Sequence, residues 1–217
     1  MSLDFLEAAG FTLSSLSLAL AGHFSSLATN MRFYKPVKTL LSKLASTDSL
    51  PDILAELEED LVTLACHRFA HTVVVALLEA QLPIGTRESL VERFQGRIAE
   101  LACHPFCCAV VEVLLRTAGD GQQAAIIEEV CTVTTNQADM AVVSLTKDKQ
   151  GHAIVLTMLK VVNITGMISV SMFQVSQHKQ VHNLLKASIL CKQDELVGNA
   201  WAARVLKTIK TEFHNRA

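Results

Sequence analysis

Two stretches of this chain are nearly the same sentence. Leu64 to Leu78 reads LACHRFAHTVVVALL, Leu101 to Leu115 reads LACHPFCCAVVEVLL, and the offset is 37 residues throughout. A fixed period between about 20 and 50 residues is the signature of stacked supersecondary units, each too small to bury its own apolar face. The chain is therefore expected to build a repeat architecture. The search for function moves with it, from a closed pocket to a long surface made of equivalent positions.

An aromatic residue marks the two copies, Phe69 in one and Phe106 in the other. The period extends outwards in weaker form. Leu27-Ala28 precedes Phe33, which stands 36 residues before Phe69. Leu145 precedes Gln150, 44 after Phe106, with Gly151-His152-Ala153-Ile154-Val155 behind it. Leu196 precedes Trp201, another 51 on, with Ala202-Ala203-Arg204-Val205-Leu206 behind it. In the last four copies the marker follows a Leu by five residues. The run after it is small, variable, variable, aliphatic, aliphatic. The longer steps read as loop insertions between units.

Half of the residues are hydrophobic, mostly Leu, Ala and Val, and only four are proline. That balance favours helices over a sandwich or barrel. Spacings of three and four, as in Leu90, Phe94, Ile98 and Leu101, predict helices, and no strand alternation persists. Helices are expected over Leu13–Thr29, Val37–Leu44, Ile53–Cys66, Thr72–Ala80, Arg87–Cys103, Ala109–Ala118, Ala124–Val133, Ala138–Lys147, His152–Val162 and Ala200–Phe213. Turns are expected at Ser46–Ser49, Leu82–Gly85, Gly119–Gly121, Thr134–Asn136 and Asn163–Met167. The stretch between Met167 and Leu196 is expected to be helical with breaks.

Charge and cysteine usage limit the function classes. The net charge of −2 is unusual for a nucleic-acid binder, but it describes the whole chain and not one face. Phe11 to Leu27 is apolar but carries five serines, a threonine, a glycine and a histidine, so a buried helix is expected and not a membrane span. The six cysteines are expected to be reduced, because four of them fall inside the helical pattern and no secretion signal is seen. A cytoplasmic or nuclear address is the default. Cys103-His104 with Cys107-Cys108 offers thiols and an imidazole, the ligands zinc favours. Yet Cys66-His67 has no matching cysteines after it, and Cys107 and Cys108 fill ordinary repeat positions. His23, His71, His152 and His178 show no consistent pairing with Ser or Asp, and no Gly-rich phosphate loop is present. No metal, cofactor or catalytic residue is expected, and the chain is read as a binding protein.

The unit aliphatic-Ala-x-His-x-Phe-small-x-x-Val-Val-x-x-Leu-Leu resembles the Pumilio (PUF) repeat. Ile127-Glu128-Glu129-Val130-Cys131-Thr132, followed by Thr146-Lys147-Asp148-Lys149-Gln150-Gly151, is similar to the C-terminal part of a Pumilio homology domain, with the 44-residue step in the same place. The likeness covers about Asn30 to Phe213. It implies an all-α, right-handed α-solenoid of three-helix repeats, the middle helix of each facing RNA. Expected repeats are 1–29 (degenerate), 30–66, 67–103, 104–147, 148–195 and a cap at 196–217. That is fewer than the eight of a full domain.

The resemblance also implies base-reading positions. In such repeats the first and fifth residues after the small residue touch a base edge, and the second stacks. These three slots fall on Lys35, Pro36 and Thr39; on His71, Thr72 and Val75; on Cys108, Ala109 and Glu112; on His152, Ala153 and Leu156; and on Ala203, Arg204 and Lys207. Only Cys108 with Glu112 resembles an edge-reading pair, of the kind associated with guanine. Val75 and Leu156 cannot hydrogen-bond a base, and Thr72, Ala109 and Ala153 are too small to stack well. Candidate RNA-binding residues are therefore Lys35, Thr39, His71, Thr72, Cys108, Glu112, His152, Arg204 and Lys207, with phosphate contacts from Arg32, Arg68 and Lys149.

The partner expected on this basis is single-stranded RNA, an mRNA or a pre-rRNA, bound with weak or altered sequence preference. The role would be post-transcriptional regulation in the cytoplasm or ribosome maturation in the nucleolus. The alternative is a protein-binding scaffold, in which Val75, Leu156 and Ala109 line a dry groove.

Overall fold

A computed structural model describes residues 12–44, 50–133, 140–168 and 172–214. Among them every regular element is an α-helix. The helices are α1 (Leu13–Leu20), α2 (Phe24–Thr29), α3 (Tyr34–Leu44), α4 (Leu50–Glu59), α5 (Leu61–Cys66), α6 (His71–Glu79), α7 (Ile84–Glu92), α8 (Ile98–Ala102), α9 (Cys107–Thr117), α10 (Asp120–Thr132), α11 (Ala141–Lys147), α12 (Gly151–Ile168), α13 (Met172–Leu190), α14 (Gln193–Leu196) and α15 (Ala200–His214). From α1 on they run in a period of three. One helix leads to a short one, a tight turn follows, and a longer helix closes the unit. The expected turns at Ser46–Ser49 and Thr134–Asn136 lie outside the described residues.

The chain forms two compact units, residues 1–94 and 95–217. In the first, α2 packs on α3, α4 and α5, and the two post-turn helices α3 and α6 lie side by side. Phe24, Leu41, Leu44, Leu61, Leu77, Leu78, Leu90 and Phe94 are fully buried. In the second, the post-turn helices α9, α12 and α15 pack in series, with α8, α11 and α13 against them and α10 against α8, α11 and α13. Ile98, Leu101, Leu114 and Leu115 fill its core. Burying such a side chain is worth about 1.5–3 kcal/mol, so these clusters dominate each unit's stability.

Three expected helices are each two helices in the structure. Leu13–Thr29 breaks at Gly22 (φ +77°), Ile53–Cys66 breaks at Asp60 (φ −109°, ψ 9°), and Arg87–Cys103 breaks at Gly96 (φ +78°). Apolar spacing continues across each break, which is why periodicity alone joined them. A carboxylate from further along the chain holds two of the breaks open. Glu56 accepts the Gly22 N–H at 2.8 Å and the Ser25 N–H at 3.3 Å. Glu129 does the same for Gly96 at 2.8 Å and Ile98 at 2.9 Å. These bonds satisfy N–H groups that a helix start leaves orphaned.

One expected turn is helical throughout, and two are helical in part. Asn163–Met167 lies inside α12, whose packing on α13 overrides weak local propensity. Ile84-Gly85 opens α7, and Gly121 lies inside α10, for which Gly119 is the N-cap. The expected helices Val37–Leu44 and Ala124–Val133 begin earlier, at Tyr34 and Asp120.

Candidate nucleic-acid interface

One turn is built five times. At its centre stand Asn30, His67, His104, Asp148 and Asn199, separated by 37, 37, 44 and 51 residues. Each side chain accepts backbone N–H groups two or three residues on. Asn30 accepts from Arg32 at 2.9 Å. His67 Nδ1 accepts from Phe69 (3.3 Å) and Ala70 (3.4 Å), and His104 Nδ1 from Phe106 (3.3 Å) and Cys107 (3.2 Å). Asp148 accepts from Gln150 (2.8 Å) and Gly151 (2.7 Å), and Asn199 from Trp201 (2.9 Å) and Ala202 (3.0 Å). The backbone repeats as well. The carbonyls of these five residues take the N–H of Tyr34, His71, Cys108, His152 and Ala203 at 3.0–3.1 Å. A Leu always lies three residues earlier, its carbonyl accepting the turn residue's own N–H.

This turn fixes the register, and it shifts the first unit by one residue. Arg32, not Phe33, is equivalent to Phe69, Phe106, Gln150 and Trp201. All five markers then follow a Leu by five residues. In α3 the three slots become Tyr34, Lys35 and Lys38. Lys35 keeps a slot, the second, while Pro36 and Thr39 lose theirs. Thr39 donates its hydroxyl to the Lys35 carbonyl (3.1 Å) within its own helix. The position before the marker, held by Arg68 and Lys149, is Met31 in the first unit and not Arg32. The exposed aromatic ring of Phe33 misled the sequence reading; the Leu-x-x-Asn pattern of Leu27 and Asn30 carries the true period.

The slots differ in what they offer. Lys35 and Lys38 are exposed, and so are Arg204 and Lys207. The first and the last post-turn helices thus carry a cation pair at the second and fifth slots. Between them stand Thr72 with Val75, Ala109 with Glu112, and Ala153 with Leu156. Of these six, only Glu112 and Ala153 are exposed; the rest are half-buried. Arg32, Arg68 and Lys149 are exposed.

First-slot rings are already engaged. Tyr34 stacks on Phe69, centroids 5.2 Å apart and planes 19° from parallel. His152 stacks on Trp201 at 4.7 Å and 30°. Each is a first-slot side chain against the marker ring of the next repeat, a contact invisible in the sequence. Cations join both stacks. The Arg68 guanidinium lies 4.6 Å over Phe69 and that of Arg204 5.1 Å over Trp201, a geometry that draws charge to the ring face. His71 and His152 also turn Nδ1 back to the turn carbonyl, of His67 (3.0 Å) and Asp148 (3.2 Å). His152 is buried, contrary to the expectation of an open base reader.

Cys108 and Glu112 stand one helical turn apart on α9. Burial pushes the Cys108 thiol up, with the negative charges of Glu112 and Asp148 adding to it, so it stays protonated and can donate. Its Sγ meets the Pro105 carbonyl at 3.6 Å. Cys103 is pushed up to about 11 by burial and by Asp148, and Cys131 to about 12, chiefly by burial. No helix among the described residues is long and apolar enough to cross a membrane.

No protein-family model matches the chain, and no curated protein matches it. Solved structures do. Against PUF-6 in complex with 5BE13 RNA the TM-score is 0.81, at 12% identity over 91% of this chain and 58% of that one. Against PUF-8 in complex with PBE-RNA it is 0.73, at 15% identity over 93% and 54%. The chain has the PUF-repeat fold. The Puf3 RNA binding domain bound to the Cox17 RNA 3′ UTR recognition sequence, site B, agrees at 0.67, with 17% identity over 90% and 55%. The chain spans between 54% and 58% of the length of these three PUF structures.

Proposed function

We propose that this chain is a divergent PUF-family protein. It binds single-stranded RNA along its post-turn helices, holding the phosphate backbone more than it reads bases. The observation that carries this reading is the pair of cations at the second and fifth slots of α3 (Lys35, Lys38) and of α15 (Arg204, Lys207), on a fold whose solved examples include RNA complexes. Lysine and arginine at those slots attract phosphate and carry no sequence information. Arg68 and Lys149 add charge at the turn. Tyr34 and His152 are held in ring stacks, so edge reading narrows to Cys108 with Glu112. RNA of this kind would be an mRNA or a pre-rRNA, with a cytoplasmic or a nucleolar site of action. Repeats divide as 30–66, 67–103, 104–147 and 148–195, with a terminal cap.

Selection from a randomised single-stranded RNA pool tests this. Enrichment of no ordered motif, or of a single guanine, is the expected result. Recovery of a multi-base motif would overturn it. The half-exposed Val75 and Leu156 support a second reading, a protein ligand laid on the same helices, and failure of any RNA to bind would favour it.

A further inference from the structure

Two repeat positions reverse in the fifth repeat. The residue two before the turn centre is Ala28, Ala65, Ala102 and Thr146 in the first four repeats, each fully buried. In the fifth it is Val197, 71% exposed. The residue eleven after the turn centre is Leu41, Leu78, Leu115 and Leu159, again fully buried. In the fifth it is Lys210, and it is exposed. Val197 and Lys210 line an open groove of about 620 Å³ along α14 and α15, together with Leu196, Leu206 and Lys207. We propose that this groove docks an amphipathic helix of another protein, one that sets carboxylates beside its apolar residues.

The fourth repeat shows what fills such a seat. Its Thr146 and Leu159 lie on α11 and α12, and the helices α13, α14 and α15 of the fifth repeat pack against that pair. The occupant there is helical, and it brings a carboxylate to a cation: Glu195 of α14 reaches Lys147 of α11 at 3.6 Å. Glu129 of the fourth repeat likewise reaches back to the N–H groups of Gly96 and Ile98 in the third. Acids on the incoming repeat are thus a feature of these junctions. In the fifth repeat Lys207 and Lys210 stand one helical turn apart on α15, and both line the groove with Val197. A helix seated there meets them with carboxylates at the same spacing and covers Val197 with an aliphatic side chain.

A repeat face built only for contact with water would be polar at both positions. Val197 is instead larger and more apolar than the alanines and the threonine that stand at its place elsewhere. A second copy of the chain does not fit the groove. Its leading helices α1, α2 and α3 hold no carboxylate, and α3 adds Lys35, Lys38 and Lys43, so like charges would meet. An acidic amphipathic helix answers both features, the apolar Val197 and the cations beside it. The groove does not rest on the RNA reading, although Lys207 belongs to both surfaces.

Selection of displayed helical peptides of about four turns against the full chain tests this. Enriched sequences should join an aliphatic stripe to Glu or Asp spaced three or four apart. The tightest peptide is then followed by fluorescence polarisation. Val197→Ser should weaken its binding about tenfold, through lost apolar surface. Lys210→Glu should also weaken it about tenfold, and should favour the same peptide with its acids changed to lysine. Both side chains are exposed, so neither change touches the core. No enriched acidic helix, or binding indifferent to either substitution, overturns the proposal. A concentration-dependent dimer, seen by sedimentation and lost in V197S, overturns it in favour of a second copy. Loss of RNA affinity in V197S overturns it in favour of RNA. A preference for acids that reverses in K210E supports it.

Discussion

The first and last post-turn helices, α3 and α15, and the three between them share a backbone and differ in surface. All five begin from the same hydrogen-bonded turn. At the second and fifth slots the outer two carry Lys35 with Lys38 and Arg204 with Lys207; the inner three carry Thr72 with Val75, Ala109 with Glu112, and Ala153 with Leu156. The scaffold residues, Leu three before the turn and an acceptor at its centre, vary within narrow chemistry because the backbone needs them. The slot residues vary more widely, because the turn's own N–H groups are satisfied by the central acceptor and not by them. A PUF fold can therefore persist while the residues at its slots change.

The largest effect expected is on the scaffold of an outer helix. Trp201→Ala removes the His152 stack and the ring beneath Arg204, and should cost about 2–4 kcal/mol, given that Trp201 is only half-buried. Thermal unfolding should fall by about 5–12 °C. A loss under about 2 °C would mean the stack is incidental.

The carboxylate caps compare the two compact units. Glu129→Ala leaves the N–H groups of Gly96 and Ile98 without their acceptor and should cost about 2 kcal/mol by chemical denaturation. Glu56→Ala in the first unit should cost about 1 kcal/mol, because one of its two bonds is longer. The reverse order would break the claim that the two breaks are built alike and differ only in bond quality.

The smallest effect is the sharpest for the inner helices. Glu112→Gln removes a negative charge beside the proposed RNA path. Affinity for a guanine-free RNA should rise about two- to threefold, and affinity for guanine-containing RNA should not, if the side chain reads that base. Equal gains on both RNAs would show that Glu112 only repels phosphate, leaving the inner helices with no base reader.

Much of the fold was legible in the sequence, for stated reasons. The near-identity of Leu64–Leu78 and Leu101–Leu115 sets the period, and the apolar face of Leu90, Phe94, Ile98 and Leu101 is wholly buried. The breaks at Gly22, Asp60 and Gly96 were hidden because apolar spacing runs through them and the carboxylates that cap two of them lie 31–34 residues away. The register of the first unit slipped because a large ring, Phe33, stood beside the small polar residue that does the work, Asn30. At the interface the cations were visible as residue types. The burial of His152 against Trp201 was not, since a contact between repeats leaves no local pattern.

The most direct test of the account is a salt titration of the wild type and of a K35Q/K38Q/R204Q/K207Q variant. Each would be followed by fluorescence polarisation on a randomised single-stranded RNA pool. Four phosphate contacts on a single strand give a log-log salt slope near −3, or roughly 50-fold weaker binding between about 50 and 200 mM. The account predicts at least that slope for the wild type, Arg68 and Lys149 adding to it, and a slope shallower by about 3 for the variant. An unchanged slope in the variant, or no binding by the wild type at about 50 mM, would contradict it.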